Sequence, residues 1–231
     1  MATPQRPSKA PVRTLFEPIV RFLLRHYCPL RVYGTEHLPS SGFILCSNHA
    51  SHMDSVVLAV ASGRRFDDCA MVAAKDYFFD RRRAQSMAGW FITLIPVDRR
   101  ASREGLTNYM AACRSFIEAG APNPRTLIIF PEGTRTLTGK MKPFKKGPAM
   151  IAAELGLPLV PAYIDGSRES WPKGRLLPRP HRVLVTIGEP IYLDEFRGES
   201  RPKVKVYRQV TELLEQRVHL LSEVNHRGAR P

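Results

Sequence analysis

The run Thr126-Leu127-Ile128-Ile129-Phe130 constrains this chain more than any other stretch. It is rich in β-branched residues and lacks the polar alternation of a strand with one wet face. It is too short for a buried helix, so it reads as a strand covered on both sides. Residues 43–46, 69–74, 157–164 and 183–188 have the same character. Residues 31–34 add a shorter strand ending at Gly34, and residues 89–97 an apolar, β-rich one. Helical spacing takes over between them. Leu106, Tyr109, Met110, Cys113, Phe116 and Ile117 recur at threes and fours before Gly120, and Val206, Val210, Leu213, Leu214 and Leu221 do so within residues 201–224. Shorter helices fit residues 55–60, 75–79 and 148–155. Strands alternating with helices imply one α/β domain on a mixed, mostly parallel sheet flanked by helices.

A chain of 231 residues is long enough to bury a substantial core in one domain. Lys and Arg number 35 against 21 Asp and Glu, a net charge of +14. That excess favours anionic partners: nucleic acid, anionic lipid or phosphorylated substrates. Cys28, Cys46, Cys69 and Cys113 are scattered without CxxC spacing, which argues against a disulfide framework or a zinc site and for a reducing compartment. Residues 1–11 are polar, basic and Pro-rich, without the apolar core of a signal peptide, and read as a disordered tail. Residues 12–30 form a basic amphipathic segment. Leu15, Phe16, Ile19, Val20, Phe22, Leu23, Leu24 and Tyr27 recur at helical spacing among Arg13, Arg21 and Arg25. Such a helix either packs on the domain or lies in a membrane interface. Residues 31–231 are the domain proper.

The chemistry-bearing residues cluster where strands end. Asn48-His49 follows the strand at 43–46, and Asp54 stands five residues after His49. Across such a turn the carboxylate can fold back onto one imidazole nitrogen and leave the other free to take a proton. A base with no nucleophile of its own suits activation of a substrate hydroxyl. A metal site made of His49, His52 and Asp54 is a weaker fit, because no further His follows at zinc-like spacing. The strand at 126–130 runs into Glu132-Gly133-Thr134-Arg135, a tight turn beside a guanidinium that can grip an anion two-pronged. Arg99 or Arg100 ends the strand at 89–97, and Lys140, Lys142, Lys145 and Lys146 make the following loop basic.

Taken together, these blocks resemble the glycerolipid acyltransferases of the lysophosphatidic-acid acyltransferase type. NHxxxxD is Asn48 to Asp54, and the second block is Pro96-Val97-Asp98-Arg99. FPEGTR is Phe130 to Arg135, followed by Phe144-Lys145-Lys146-Gly147, and the last block is Val160-Pro161-Ala162-Tyr163. The resemblance spans about residues 35–190. It implies that His49 deprotonates a glycerol hydroxyl, with Asp54 orienting the imidazole. It further implies that Asn48, Arg99, Glu132, Gly133, Thr134, Arg135, Lys145, Lys146 and Pro161 line the substrate site. The donor would be acyl-CoA or acyl-carrier protein, as co-substrate and with no resident cofactor. The acceptor would be lysophosphatidate or a related lysophospholipid, with glycerol-3-phosphate and aminolipids as alternatives within the family. The second block departs from the family's usual Phe-Ile-Asp-Arg, having Pro96-Val97 before Asp98. The expectation is an enzyme lying peripherally on the inner, cytoplasmic face of the plasma membrane, against anionic lipid. Two rivals stand beside it. A nucleic-acid binder would cluster its basic residues with aromatics, whereas here they are spread along the chain, so nucleic acid is not expected as a partner. A hydrolase would use the same His-Asp pair on water.

Overall fold

A computed structural model describes residues 10–74, 92–97, 103–120, 123–172, 174–196 and 203–228. Among these, seven strands form one sheet in the order β1-β7-β6-β2-β5-β3-β4. They are β1 (Leu30–Tyr33), β2 (Phe43–Ser47), β3 (Cys69–Ala74), β4 (Thr93–Val97), β5 (Thr126–Ile129), β6 (Leu159–Asp165) and β7 (Val183–Ile187). The helices are α1 (Ala10–His26), α2 (Asp54–Ala61), α3 (Arg103–Glu118), α4 (Gly147–Leu155), the one-turn α5 (Ser167–Ser170) and α6 (Lys203–Gly228). Five strands, from β6 across to β4, run parallel, while β7 pairs antiparallel with β6 and carries β1 beside it in its own direction. The sheet is therefore mixed and mostly parallel. The residues 75–79 read as a helix lie outside the described residues, as does the first part of 89–97.

The continuous apolar runs work because side chains alternate between two cores. Phe43, Leu45, Ile128, Phe130, Val160 and Ala162 point to one face, where α2 and the end of α1 cover them. Ile44, Cys46, Leu127, Ile129 and Leu159 point to the other, under α3, α4 and α6. Alpha-six contributes Val206, Val210, Leu214 and Val218 to this second core. The edge strand β4 carries an exposed Pro96, a residue that a central strand tolerates poorly. All four cysteines are buried free thiols.

Alpha-one settles against the domain by an unexpected face. Leu24 is buried and Val20 partly so, but the other inward positions are polar. The buried Arg13 donates to Thr93 Oγ1 at 2.9 Å and pairs with Asp67 at 3.5 Å. Glu17 accepts from Arg21 at 2.8 Å and from the Phe66 N–H at 3.0 Å, and Arg21 also donates to the Arg64 carbonyl. Positions 13, 17, 20, 21 and 24 thus face the domain, spaced by threes and fours with 20 and 21 side by side on one stripe. Leu15, Ile19, Phe22 and Leu23 consequently face outward, with Leu15 68% and Phe22 61% exposed. Pro18 lies inside the helix, where it removes one backbone hydrogen bond. Among the described residues no helix is long and apolar enough to cross a membrane.

Candidate active site

Beta-two and β5 are neighbours, yet their outgoing connections part. The chain leaves β2 for α2 on one face and leaves β5 through α4 on the other. Open α/β sheets bind their ligands in the crevice at such a switch point, beyond the carboxyl ends of the strands. His49 and Glu132 sit at the two strand ends that border it.

Asp54 is the first residue of α2, and the loop from β2 bends back over it. Its Oδ2 lies 2.8 Å from His49 Nδ1. The same oxygen accepts the N–H groups of Ala50 at 2.7 Å and Ser51 at 2.8 Å. An oxygen already accepting two backbone donors is an acceptor toward the imidazole as well, so the shared proton rests on Nδ1 and Nε2 keeps its lone pair. Asp54's side chain is 1% exposed and His49's 19%, so the acid is sealed and the imidazole still meets solvent. The His49 ring stacks on Phe130, centroids 3.9 Å apart and planes 11° apart. Carboxylate, ring stack and loop together fix the imidazole. The hydroxyls flanking it are occupied: Ser51 Oγ donates to the Trp171 carbonyl at 2.7 Å, and Ser47 Oγ to Asn48 Oδ1 at 2.9 Å.

Glu132 is buried and turned inward. One carboxylate oxygen accepts the His49 N–H at 2.8 Å, the other the Lys142 N–H at 2.9 Å. Burial pushes its carboxyl above the usual range, while those two N–H donors and the nearby Lys142 ammonium, joined by the imidazole only when it is protonated, pull the other way. A further tie joins Thr136 N–H to the His49 carbonyl at 2.8 Å. Gly133 turns at φ 73°, and its N–H closes the turn on the Phe130 carbonyl at 2.9 Å rather than facing a ligand. A Cβ on Gly133 would lie 2.8 Å from Lys145 Nζ, so that amine rests over the turn. Lys142 Nζ reaches Thr134 Oγ1 at 2.9 Å and the Arg135 carbonyl at 3.3 Å. Two ammonium groups therefore lie against the Glu132–Arg135 turn, which borders the His49 crevice. Lys146 is exposed just ahead of α4.

The acyltransferase family model matches residues 29–165, a span that contains the His49–Asp54 loop and the Glu132–Arg135 turn. The chain belongs to the acyltransferase family. It is 28% identical to a 1-acyl-sn-glycerol-3-phosphate acyltransferase of Cocos nucifera, over 74% of this chain and 53% of that one. The corresponding enzyme of Limnanthes douglasii is 31% identical over 73% of this chain and 56% of its own length. The chain thus spans about half the length of these curated relatives. Among solved structures, the 1-acyl-sn-glycerophosphate acyltransferase of Thermotoga maritima superposes with a TM-score of 0.67 at 25% identity, covering 96% of this chain and 82% of that one.

Within this acyltransferase fold the described site residues other than the exposed Lys146 fall into three groups. His49, Asp54, Thr134, Lys145 and the half-buried Arg135 gather at the crevice. Glu132, Gly133 and Asn48 serve the scaffold. Asn48 Nδ2 donates to the Ile164 carbonyl at 2.9 Å and its Oδ1 accepts the Ile164 N–H at 2.8 Å, a side chain standing in for strand pairing where β2 gives out. Pro161 stands apart from both. It is buried in β6, alternates with Val160 and Ala162 of the first core, and packs near Gly188 and Leu221. That puts it on the side of the sheet opposite the Phe130 ring. Arg99 and Arg100 lie outside the described residues. Sequence reasoning missed Lys142 and the ring stack of Phe130. Phe130 was detectable, since it follows Ile128 by two in a strand and shares its face. Nothing in the sequence singles out Lys142 from its basic neighbours. Among the described residues no group of three or more His, Cys, Asp or Glu could hold a metal ion.

Proposed function

We propose that this protein moves a fatty acyl group from an acyl thioester, acyl-CoA or acyl-carrier protein, to the free hydroxyl of a lysophosphatidate-type acceptor, giving phosphatidate. The reading rests chiefly on His49, whose Nδ1 is held 2.8 Å from a sealed carboxylate while the ring remains open to solvent. His49 Nε2 takes the acceptor's hydroxyl proton as its oxygen attacks the thioester carbonyl. The new C–O bond forms and the carbonyl pair moves onto oxygen. Asp54 stabilises the imidazolium. When the tetrahedral intermediate collapses, the C–S bond breaks and the proton on Nε2 passes to the departing sulfur. Because Ser47 and Ser51 are engaged elsewhere, transfer is direct, without an acyl-enzyme. Lys142 and Lys145, with Arg135, hold the acceptor's phosphate as charge-assisted partners. No resident cofactor is needed, since both substrates bring their reactive groups.

The outward apolar face of α1, with Arg25 beside it, serves as a peripheral anchor on the anionic inner face of the plasma membrane, where the acceptor resides. The positive charge of the chain serves lipid and thioester rather than nucleic acid. The test is thiol release from palmitoyl-CoA with lysophosphatidate, glycerol-3-phosphate, lysophosphatidylglycerol or no acceptor, repeated with palmitoyl-acyl-carrier protein. Release that depends on lysophosphatidate supports the proposal. Equal release without acceptor identifies a hydrolase, and dependence on another acceptor moves the assignment within the family.

A further inference from the structure

The connection from β6 to β7 does more than join two strands. After α5 it projects outward from a hydrogen-bonded base. Arg179 N–H donates to the Ser170 carbonyl at 3.0 Å, and Ser170 Oγ to the Arg179 carbonyl at 3.0 Å. Trp171 Nε1 donates to the Arg175 carbonyl at 2.9 Å. This fixed loop carries Leu176 and Leu177 at its tip, 86% and 70% exposed. A single exposed leucine is ordinary, but two adjacent ones on a loop tied at its base make a contiguous apolar tip of the kind that marks a contact surface. Exposed Arg175, Arg179 and Arg182 flank them, and residues 173–182 contain no Asp or Glu.

The loop is tied in two directions. Tyr27, just past α1, donates its hydroxyl to the Pro178 carbonyl at 3.3 Å, and Cys28 Sγ lies 3.2 Å from Ser170 Oγ. The loop is thereby continuous with the helix whose apolar face is turned outward. Toward the active site, the Trp171 carbonyl accepts from Ser51 Oγ, and the Trp171 ring lies 6.0 Å from that of His52. We infer that the loop at 174–182 is a second interfacial anchor. Leu176 and Leu177 enter an anionic bilayer while Arg175 and Arg182 meet its head groups. The inference extends the lipid-acceptor reading above. Alpha-one alone leaves the domain free to roll about the helix axis. A second contact, joined through Trp171 to the loop bearing His49, fixes the angle at which the crevice meets the bilayer.

The variants are Leu176→Gln/Leu177→Gln and, separately, Arg175→Gln/Arg182→Gln. Binding is measured by flotation with phosphatidylglycerol and phosphatidylcholine vesicles without substrate, so the result stands whatever the reaction proves to be. The leucine variant should bind phosphatidylglycerol vesicles about tenfold more weakly or worse, with an unchanged melting temperature. The arginine variant should lose most of its preference for phosphatidylglycerol. Thiol release with vesicle-borne lysophosphatidate should fall in step with binding, while release with a short-chain, monomeric acceptor stays within about twofold. Parental vesicle binding by the leucine variant overturns the inference. So does unchanged vesicle binding with altered self-association in sedimentation, which would make the leucines a protein contact. Absence of activity in the parent with every acceptor would count against the acyl-transfer reading alone.

Discussion

Glu132 Oε1 accepts the backbone N–H of His49 at 2.8 Å, across 83 residues of sequence. Its other oxygen holds the Lys142 N–H at 2.9 Å, so one buried carboxylate joins the base's loop to the cationic loop. Glu132→Gln replaces one acceptor by a donor facing an N–H, at a cost of about 1–3 kcal/mol. We predict a lower melting temperature together with a kcat/KM loss of roughly 10–100-fold, about 1.4–2.7 kcal/mol in transition-state terms. A raised KM with unchanged kcat and melting temperature would instead place Glu132 on the acceptor.

Asn48→Ala leaves the buried N–H and C=O of Ile164 without partners. The expected loss of stability is roughly 2–5 kcal/mol, from two unsatisfied groups. Denaturant titration checks it, and KM for the acceptor should change little. A stable variant with a selectively raised KM would return Asn48 to the substrate.

Substituting Ile19 and Phe22 together by Gln removes apolar surface from the outward face of α1 while sparing the inward contacts of Arg13, Glu17, Arg21 and Leu24. Binding to anionic vesicles should weaken about tenfold or more, with thermal stability unchanged. If stability falls and vesicle binding does not, the face is packed rather than interfacial.

Burial pushes the thiols of Cys69 and Cys113 from 9.0 to about 12. A raised folded-state value means that the stabilising contribution is complete below pH 9 and is lost as pH climbs toward 12, because the unfolded chain ionises first. Stability should therefore drop between pH 9 and 11, and less steeply in Cys69→Ala/Cys113→Ala. Native protein at pH 8 should not react with a thiol reagent at these positions. Equal slopes in the two proteins would show that other groups govern the alkaline limb.

Much of this was legible in the sequence, for local reasons. The strands were visible because two-sided burial leaves no polar alternation, as in Leu127, Ile128 and Ile129. The His49–Asp54 pair was visible because five residues suffice to turn a strand end onto a helix start. The antiparallel seating of β7 was not, since its run of apolar residues suits either direction. The inward duties of Glu132 and Asn48 depend on partners far off in the chain, and polarity alone reads as exposure. Alpha-one reversed the usual rule because Asp67, Thr93 and the Phe66 N–H supply polar partners under it, leaving its apolar side outward.

The most direct test of the account is phosphatidate formation from palmitoyl-CoA and lysophosphatidate, followed by mass spectrometry in the parent and His49→Ala. The parent should form one phosphatidate per thiol released. His49→Ala should lose ~10²–10⁴-fold of the rate, the range for a missing general base, while keeping its melting temperature. A folded His49→Ala protein working within about tenfold of the parent would contradict the assignment of His49 as the base.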